Sequence, residues 1–509
     1  AFTEPLHELS GFEEMNKEAQ KTGLITIRGC IDAQKSHMIY GIGNGRKNKV
    51  IVTFHEQKAK ELYDDYRFFE PNTVYYPAKD ILFYQSDIRG NLLTAERIRA
   101  LRAIHEQQEV TVITTFDALM NTMAPPKTLW DSIRRIEPGD TVVLDELVAR
   151  LVQMGYEKEY QVDTVGQFAL RGGILDVYPL TEDNPVRIEM WGDEVDTIRS
   201  FDVESQKSIE NLEELVIYPA CELVLDDEEK QAGIARFLKE AKTFASKLKK
   251  EMKTEEAHRA LSTAQELAEE WGELSVTAGM DAYLSYFSEE RVGLLDYFDP
   301  ADTYLFFDEL SRCTERGKQT EVEFAESMKQ RLEKGYILPG QMKELFGFKE
   351  VMGKIERYSC IAVSALDVKT NGLKSNGQYG IHVKSVNAYN NSFELLIKDL
   401  QHYKKNGYRI ILLSGSKTRA ARLAEDIMNE GLNCFYTDDY DHELLPGQIM
   451  VCYGKVHKGY EYPILQFAVI TETDIFGAER KKKKRHRTYE GEKIQSFTAL
   501  NIGDYVVHE

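Results

Sequence analysis

Cysteine is scarce in this chain of 509 residues, and the six present, Cys30, Cys221, Cys313, Cys360, Cys434 and Cys452, stand far apart. No two are spaced as a CxxC pair, which excludes a zinc ribbon or a dithiol redox motif. A cytosolic chain would keep them reduced, as packing residues. Long apolar runs are missing too. Nothing approaches the roughly 18 residues of a membrane span, and no basic stretch followed by an apolar core opens the chain. Positive charge is outweighed: 64 Lys and Arg face 84 Asp and Glu, a net charge of −20. That balance excludes a surface given over as a whole to phosphate contacts. A cytoplasmic protein with no membrane partner is the expectation.

What is present suffices for several cores, since 42% of the residues are hydrophobic. At about 150 residues per domain, three or four domains are expected. Short apolar runs at 24–28 (LITIR), 50–54 (VIVTF), 74–76 and 110–114 (VTVIT) alternate with amphipathic stretches at 57–67 and 94–107. That alternation predicts a parallel sheet covered on both faces by helices. From 140 to 220 strands and turns dominate. Residues 186–191 (VRIEMW), Gly192-Asp193 and 194–201 read as a β-hairpin. Phe237, Ala241, Phe244 and Leu248 then mark one of two amphipathic helices within 226–271, read as a solvated helical hairpin. Apolar strands resume at 303–307 (TYLFF). Residues 355–478 read as a second α/β unit, with strands at 360–365, 409–413, 434–436, 449–453 and 467–471 and a helix at 416–429. A charged tether follows at 479–492, and its basic run 481–487 (KKKKRHR) is read as a solvated linker.

Two motifs look like the remains of a nucleotide site. Gly29-Cys30-Ile31-Asp32-Ala33-Gln34-Lys35-Ser36, between a strand and a helix, keeps the first Gly, the Lys and the Ser of GxxxxGK[ST]. Gln34 replaces the second Gly, and its β-carbon obstructs the backbone cradle. Asp32 adds a carboxylate where phosphate would sit, a like-charge pair worth roughly 3 kcal/mol at ~5 Å and an effective dielectric near 20. The second motif, Phe306-Phe307-Asp308-Glu309, has the shape of the apolar strand and acidic pair that hold Mg²⁺ in NTPases. Without a working phosphate loop it reads as a structural acidic turn. The expectation is a relic loop, with no catalytic residue and no metal ligand.

A third feature points outward. Strand alternation places Val186, Ile188 and Met190 on one face and Arg187, Glu189 and Trp191 on the other. With the apolar set turned to the core, an arginine and a tryptophan are left exposed, the residue types most enriched at binding hot spots. Arg171, just before Gly172-Gly173, joins them if the two strands pair.

In this order, the damaged phosphate loop, RGGILDVYP (171–179), FDVESQKS (201–208), LFFDE (305–309) and PILQFAVITETDIFG (463–477) resemble the amino-terminal half of the bacterial transcription-repair coupling factors, the Mfd family. That half is itself similar to the repair helicase UvrB. The resemblance covers almost the whole chain. It implies an α/β multidomain fold with a degenerate P-loop, helicase-like parallel sheet at 1–125 and an inserted β-rich UvrA-docking domain at 126–221. A helical segment and the return of the sheet follow at 222–350, then a second α/β domain at 351–478, a charged linker at 479–497, and the start of an RNA polymerase-interacting domain at 498–509. The first residue, Ala1, and the closing LNIGDYVVHE agree with a piece of a larger protein. The family's UvrA contact maps onto Arg171, Arg187 and Trp191, where Trp191 departs from the common Phe. ATP, Mg²⁺ and the DNA-translocating motor belong to the missing carboxy-terminal half. The segment near Tyr75–Tyr84 is too short for the DNA-threading hairpin of UvrB. Two rival readings are a direct DNA-damage binder like UvrB and an active helicase with an atypical loop.

Overall fold

The computed structural model describes residues 1–79, 89–273, 280–367 and 372–477. The tether, its basic run and the 498–509 segment lie outside the described residues, as does most of the stretch after Tyr75.

A seven-stranded sheet organises the first unit. All its pairings are parallel, in the order Ser375–Gly380, Gly23–Arg28, Ser359–Ser364, Thr303–Asp308, Asn48–Thr53, Thr111–Thr115, Val74–Tyr76. Its central strands are apolar on both sides because both faces are covered. Leu24, Val50, Val112, Leu305, Phe307 and Ala362 pack with the helices Arg89–Glu106 and Leu310–Glu333. Their neighbours Ile25, Ile51, Ile113, Phe306 and Ile361 pack on the other side, beneath the helices Asp32–Gly43 and Glu56–Tyr66.

The strand Ser359–Ser364 is a correction to the sequence reading, which placed 360–365 in the second α/β unit. It lies between Gly23–Arg28 and Thr303–Asp308, in the interior of the first sheet. A parallel strand buried on both faces carries no mark of which sheet it joins, because either core accepts the same apolar run. The second sheet has the order Lys384–Ser385, Tyr460–Tyr462, Phe467–Thr471, Arg409–Ser414, Ile449–Tyr453, Cys434–Tyr436. It is parallel except where Tyr460–Tyr462 pairs antiparallel with both neighbours.

The two α/β units share one core, since Ile411, Met450, Tyr460, Tyr462 and Phe467 pack in the same cluster as Ile25 and Phe306. Two histidines lie in that contact. His37 is fully buried, its Nε2 2.7 Å from the Phe2 carbonyl and its Nδ1 2.9 Å from the Tyr462 hydroxyl. Around it stand the rings of Phe2, Phe69, Tyr460, Tyr462 and Phe467. Burial pushes its pKa down to about 4, against a weaker upward pull from the Phe2 carbonyl. The folded pKa lies below the unfolded value near 6.5, so the stabilisation from neutral His37 is complete above pH ~6.5 and is lost as pH falls toward 4. The span corresponds to about 3 kcal/mol. Thermal melts between pH 7 and 4 should fall less steeply in a His37→Gln variant; parallel curves would refute the assignment. His457 has the opposite sign: its bond to Asp65, 2.6 Å, raises its pKa, so its contribution fades as pH rises.

Between the two ends of the first sheet's chain, two further bodies are inserted. The helices Asp227–Lys250 and Thr254–Glu273 form the expected pair, the first opened by an Asp226/Glu229 capping box. They are more than a solvated hairpin. Phe237, Ala241, Phe244, Leu248 and Trp271 build a separate core with Tyr286, Phe287 and Leu338. The other body is a six-stranded sheet, in the order Ser208–Asn211, Glu194–Phe201, Val186–Trp191, Ile174–Val177, Gln167–Arg171, Glu157–Lys158. Its chain enters through Arg134–Ile136 and leaves through Leu215–Ile217, and these two strands pair antiparallel as a neck. The insert therefore starts later than 126, at the neck strand Arg134–Ile136. Just beyond the neck, buried Glu222 takes a two-pronged bond from Arg97 at 2.5 and 3.1 Å and lies 3.3 Å from Lys79. Burial opposes its ionisation, but these cations hold the carboxyl at about 2. The insert is thereby pinned at its root.

Candidate functional site

The inserted sheet has one dry face and one wet face. Phe168, Leu175, Val177, Val186, Ile188, Val195 and Ile198 pack beneath the helix Leu144–Gln153 through Leu147 and Leu151. The alternate residues form the outer face. One row across it is Ala169, Asp176, Arg187 and Arg199, and the next is Arg171, Ile174, Glu189 and Thr197. Trp191 lies beyond, at the end of its strand.

Both hairpin turns sit at the same end of the sheet. Gly172 and Gly192 have φ of +61° and +64°, whereas Gly173 and Asp193 are not in that region, as type II′ turns require. Arg171 immediately precedes one turn and Trp191 the other, so the topology gathers them at one rim. Trp191 is 83% exposed. Among the described residues nothing packs over it to explain so large an apolar surface at a turn.

The arginines are held differently from the sequence expectation. The strands of Arg171 and Arg187 do not pair with each other; Ile174–Val177 runs between them. Its Asp176, 1% exposed, ties the two together. Arg187 donates from Nε and Nη2 to the Asp176 carboxylate at 2.7 and 2.8 Å, and Arg171 donates from Nη2 at 2.7 Å. Arg187 also lies over the Phe201 ring, 4.5 Å from its centroid. The Asp176 bonds, with proximity to Glu189, raise the pKa of Arg187 against the opposing effect of burial. Directly opposite Arg187 stands Arg199, which is neutralised by Glu189. Sequence reasoning missed Asp176. Its position between alternating apolar residues in ILDV was the available signal, because a lone carboxylate in a strand needs a partner.

The loop read as a relic nucleotide site is filled from within. Asp32 to Gly43 is helical, so Gln34, Lys35 and Ser36 lie inside the first turns, all buried. The Lys35 ammonium donates to Asp32, Asp308 and Glu309 at 2.9, 2.7 and 2.7 Å. The three carboxylates lie within 4.8 Å of one another, a spacing that would suit a divalent ion, and the ammonium occupies it. Asp32 thus acts as a counter-ion of Lys35, not as an uncompensated repulsive charge. Burial works against its ionisation, yet Lys35 and Lys58 hold it at about 2. Gln34 donates to the Tyr462 hydroxyl at 2.6 Å, across to the second unit. Gly29 has φ +84°, and a β-carbon there would meet the Ile381 carbonyl at 2.1 Å. The loop that would wrap a phosphate is pressed against backbone. A triphosphate does not fit these residues: its lysine is saturated, and its approach is lined by three carboxylates.

Comparison with known proteins agrees with the insert as a distinct body. Residues 135–223 match the family described as the UvrB interaction domain. Beyond that segment, the chain is 30% identical over 499 residues to the transcription-repair-coupling factor of Bacillus subtilis, covering 95% of this chain and 42% of that protein. It is 30% identical over 480 residues to the factor of Staphylococcus haemolyticus, covering 91% and 39%, and 26% identical over 512 residues to that of Staphylococcus aureus strain MRSA252, covering 98% and 42%. The chain spans about two fifths of the length of these relatives. Among the described residues no helix is long and apolar enough to cross a membrane. An α/β chain built around a parallel sheet, with a segment at 135–223 that matches the UvrB interaction domain family, it is similar to the transcription-repair-coupling factors over nearly its entire length.

Proposed function

We propose that this chain is a docking platform that recruits UvrA in transcription-coupled nucleotide excision repair. The observation that carries the reading is the bare Trp191 at the rim of a sheet face whose two neighbouring arginines are fixed in place. Tryptophan and arginine dominate binding energy when they stand at the centre of a contact. The insert's kinship with the UvrB interaction domain supplies the partner. On this reading the platform works without ATP: Lys35, Gln34 and the acidic pair Asp308/Glu309 serve structure, not hydrolysis. ATP-driven DNA translocation and most contact with RNA polymerase fall to sequence outside this chain, and the setting is the cytoplasm. The self-neutralised loop disfavours the active-helicase reading, and the net charge of −20 disfavours direct binding to damaged DNA.

Calorimetric titration of the chain into UvrA tests the proposal. Arg171→Ala should weaken binding about tenfold and leave the melting temperature unchanged, since the side chain is 40% exposed. Arg187→Ala should weaken binding and also lower the insert's melting temperature, because it removes two bonds from buried Asp176 and uncovers Phe201. Unchanged affinity in both variants would rule out this face as the docking surface.

A further inference from the structure

The two arginines of the outer face carry like charge and stand on strands separated by a third. Left to themselves, two guanidiniums this near would repel and turn out into solvent. Asp176 prevents that. Among the described residues, every hydrogen bond to its carboxylate comes from Arg171 or Arg187. Burial of Arg187 accounts for only part of this arrangement, because the two-pronged contact from Nε and Nη2 already satisfies it. Arg171 is 40% exposed and has water available, yet it reaches back from the next row to the same carboxylate. Ala169, the small residue beside Asp176 on the Arg171 strand, leaves the room for that reach.

We infer that Asp176 is a positioning residue of the docking face: it fixes Arg171 and Arg187 as a preassembled pair whose remaining donors meet a carboxylate-bearing patch on the partner. Those donors are Nε and Nη1 of Arg171 and Nη1 of Arg187, for which no partner exists among the described residues. Long arginine side chains ordinarily lose rotamer freedom on binding; here they are ordered before the partner arrives. The inference rests on the docking reading above and adds a division of labour. Asp176 touches no partner atom, Arg187 is largely turned inward, and Arg171 is the guanidinium that forks outward.

The test is a thermodynamic cycle measured by calorimetry of the whole chain with UvrA. Asp176→Asn keeps the shape and removes the charge. It should weaken binding about tenfold in the otherwise unaltered chain and have little further effect in the Arg171→Ala/Arg187→Ala background, because its influence passes through those two side chains. An equal loss in both backgrounds would mean a general structural role and would overturn the inference, as would undiminished binding by Asp176→Asn. A second variant guards against misfolding of the first. In Arg171→Lys, the ammonium taken by Asp176 cannot also fork outward, so binding should be as weak as in Arg171→Ala. Binding at the level of the unaltered chain by Arg171→Lys would likewise overturn the proposal. Absence of UvrA binding by the unaltered chain is a different failure: it removes the docking reading itself and this inference with it.

Discussion

Trp191→Ala should reduce affinity for UvrA about a hundredfold while leaving the chain as stable as before. A tryptophan at a hot spot contributes at least about 2 kcal/mol, and on a 1.4 kcal/mol-per-decade scale a central one reaches two decades. Stability is insulated because the side chain is 83% exposed and sits at a hairpin end, where substitutions usually fall within about 0.5 kcal/mol. Trp191→Phe, which keeps a flat apolar ring, should retain binding to within several-fold. The measurement is a calorimetric titration paired with a thermal melt on the same preparations. Wild-type affinity in Trp191→Ala would sink the docking face, and loss of the fold in parallel with binding would reassign Trp191 to packing.

The second large effect concerns Lys35. In a working phosphate loop the lysine is held for the nucleotide, and its removal abolishes hydrolysis with little change in the apo fold. Here Lys35→Met should instead destabilise the first unit by about 3–5 kcal/mol, the usual consequence of stranding a buried charge. Among the described residues, Asp308 would be left fully buried with only the Thr53 hydroxyl, 2.9 Å away, and Glu309 would keep only the amide of Ala365. Glu309 also has a left-handed backbone, φ +58°, a strained state held in part by its bond to Lys35. The melting transition should drop by on the order of 10 °C. ATP turnover, measured alongside, should be at background before and after the change. A stable variant that has lost genuine turnover would restore the helicase reading.

Much of this was legible in the sequence, and what was not follows from the limits of pattern. Period-two alternation in VRIEMW was enough to put Val186 and Ile188 inside and Arg187 and Trp191 outside, because a strand offers only two faces. The Gly-Asp pair fixed the turn, and so the end of the sheet where Trp191 lies. Alternation within one strand says nothing of which strand lies beside it. The placement of Ile174–Val177 between the two arginines, and with it the role of Asp176, needed the sheet order. The same limit sent 360–365 to the wrong sheet. The phosphate-loop-like motif and the acidic turn were each visible in the sequence. Their mutual neutralisation through Lys35 was not, since 273 residues of chain separate Lys35 from Asp308.

The neck of the insert has a consequence for how the chain can change over time. Arg134–Ile136 and Leu215–Ile217 are hydrogen-bonded neighbours, so about 80 residues leave and re-enter the first unit at one point. An open loop of that length would add on the order of 2 kcal/mol of closure entropy over a six-residue turn, and here the insert's own folding absorbs it. To the parallel sheet, the insert weighs no more than a short connection. Residues on its outer face can therefore be exchanged without the sheet beneath having to re-register.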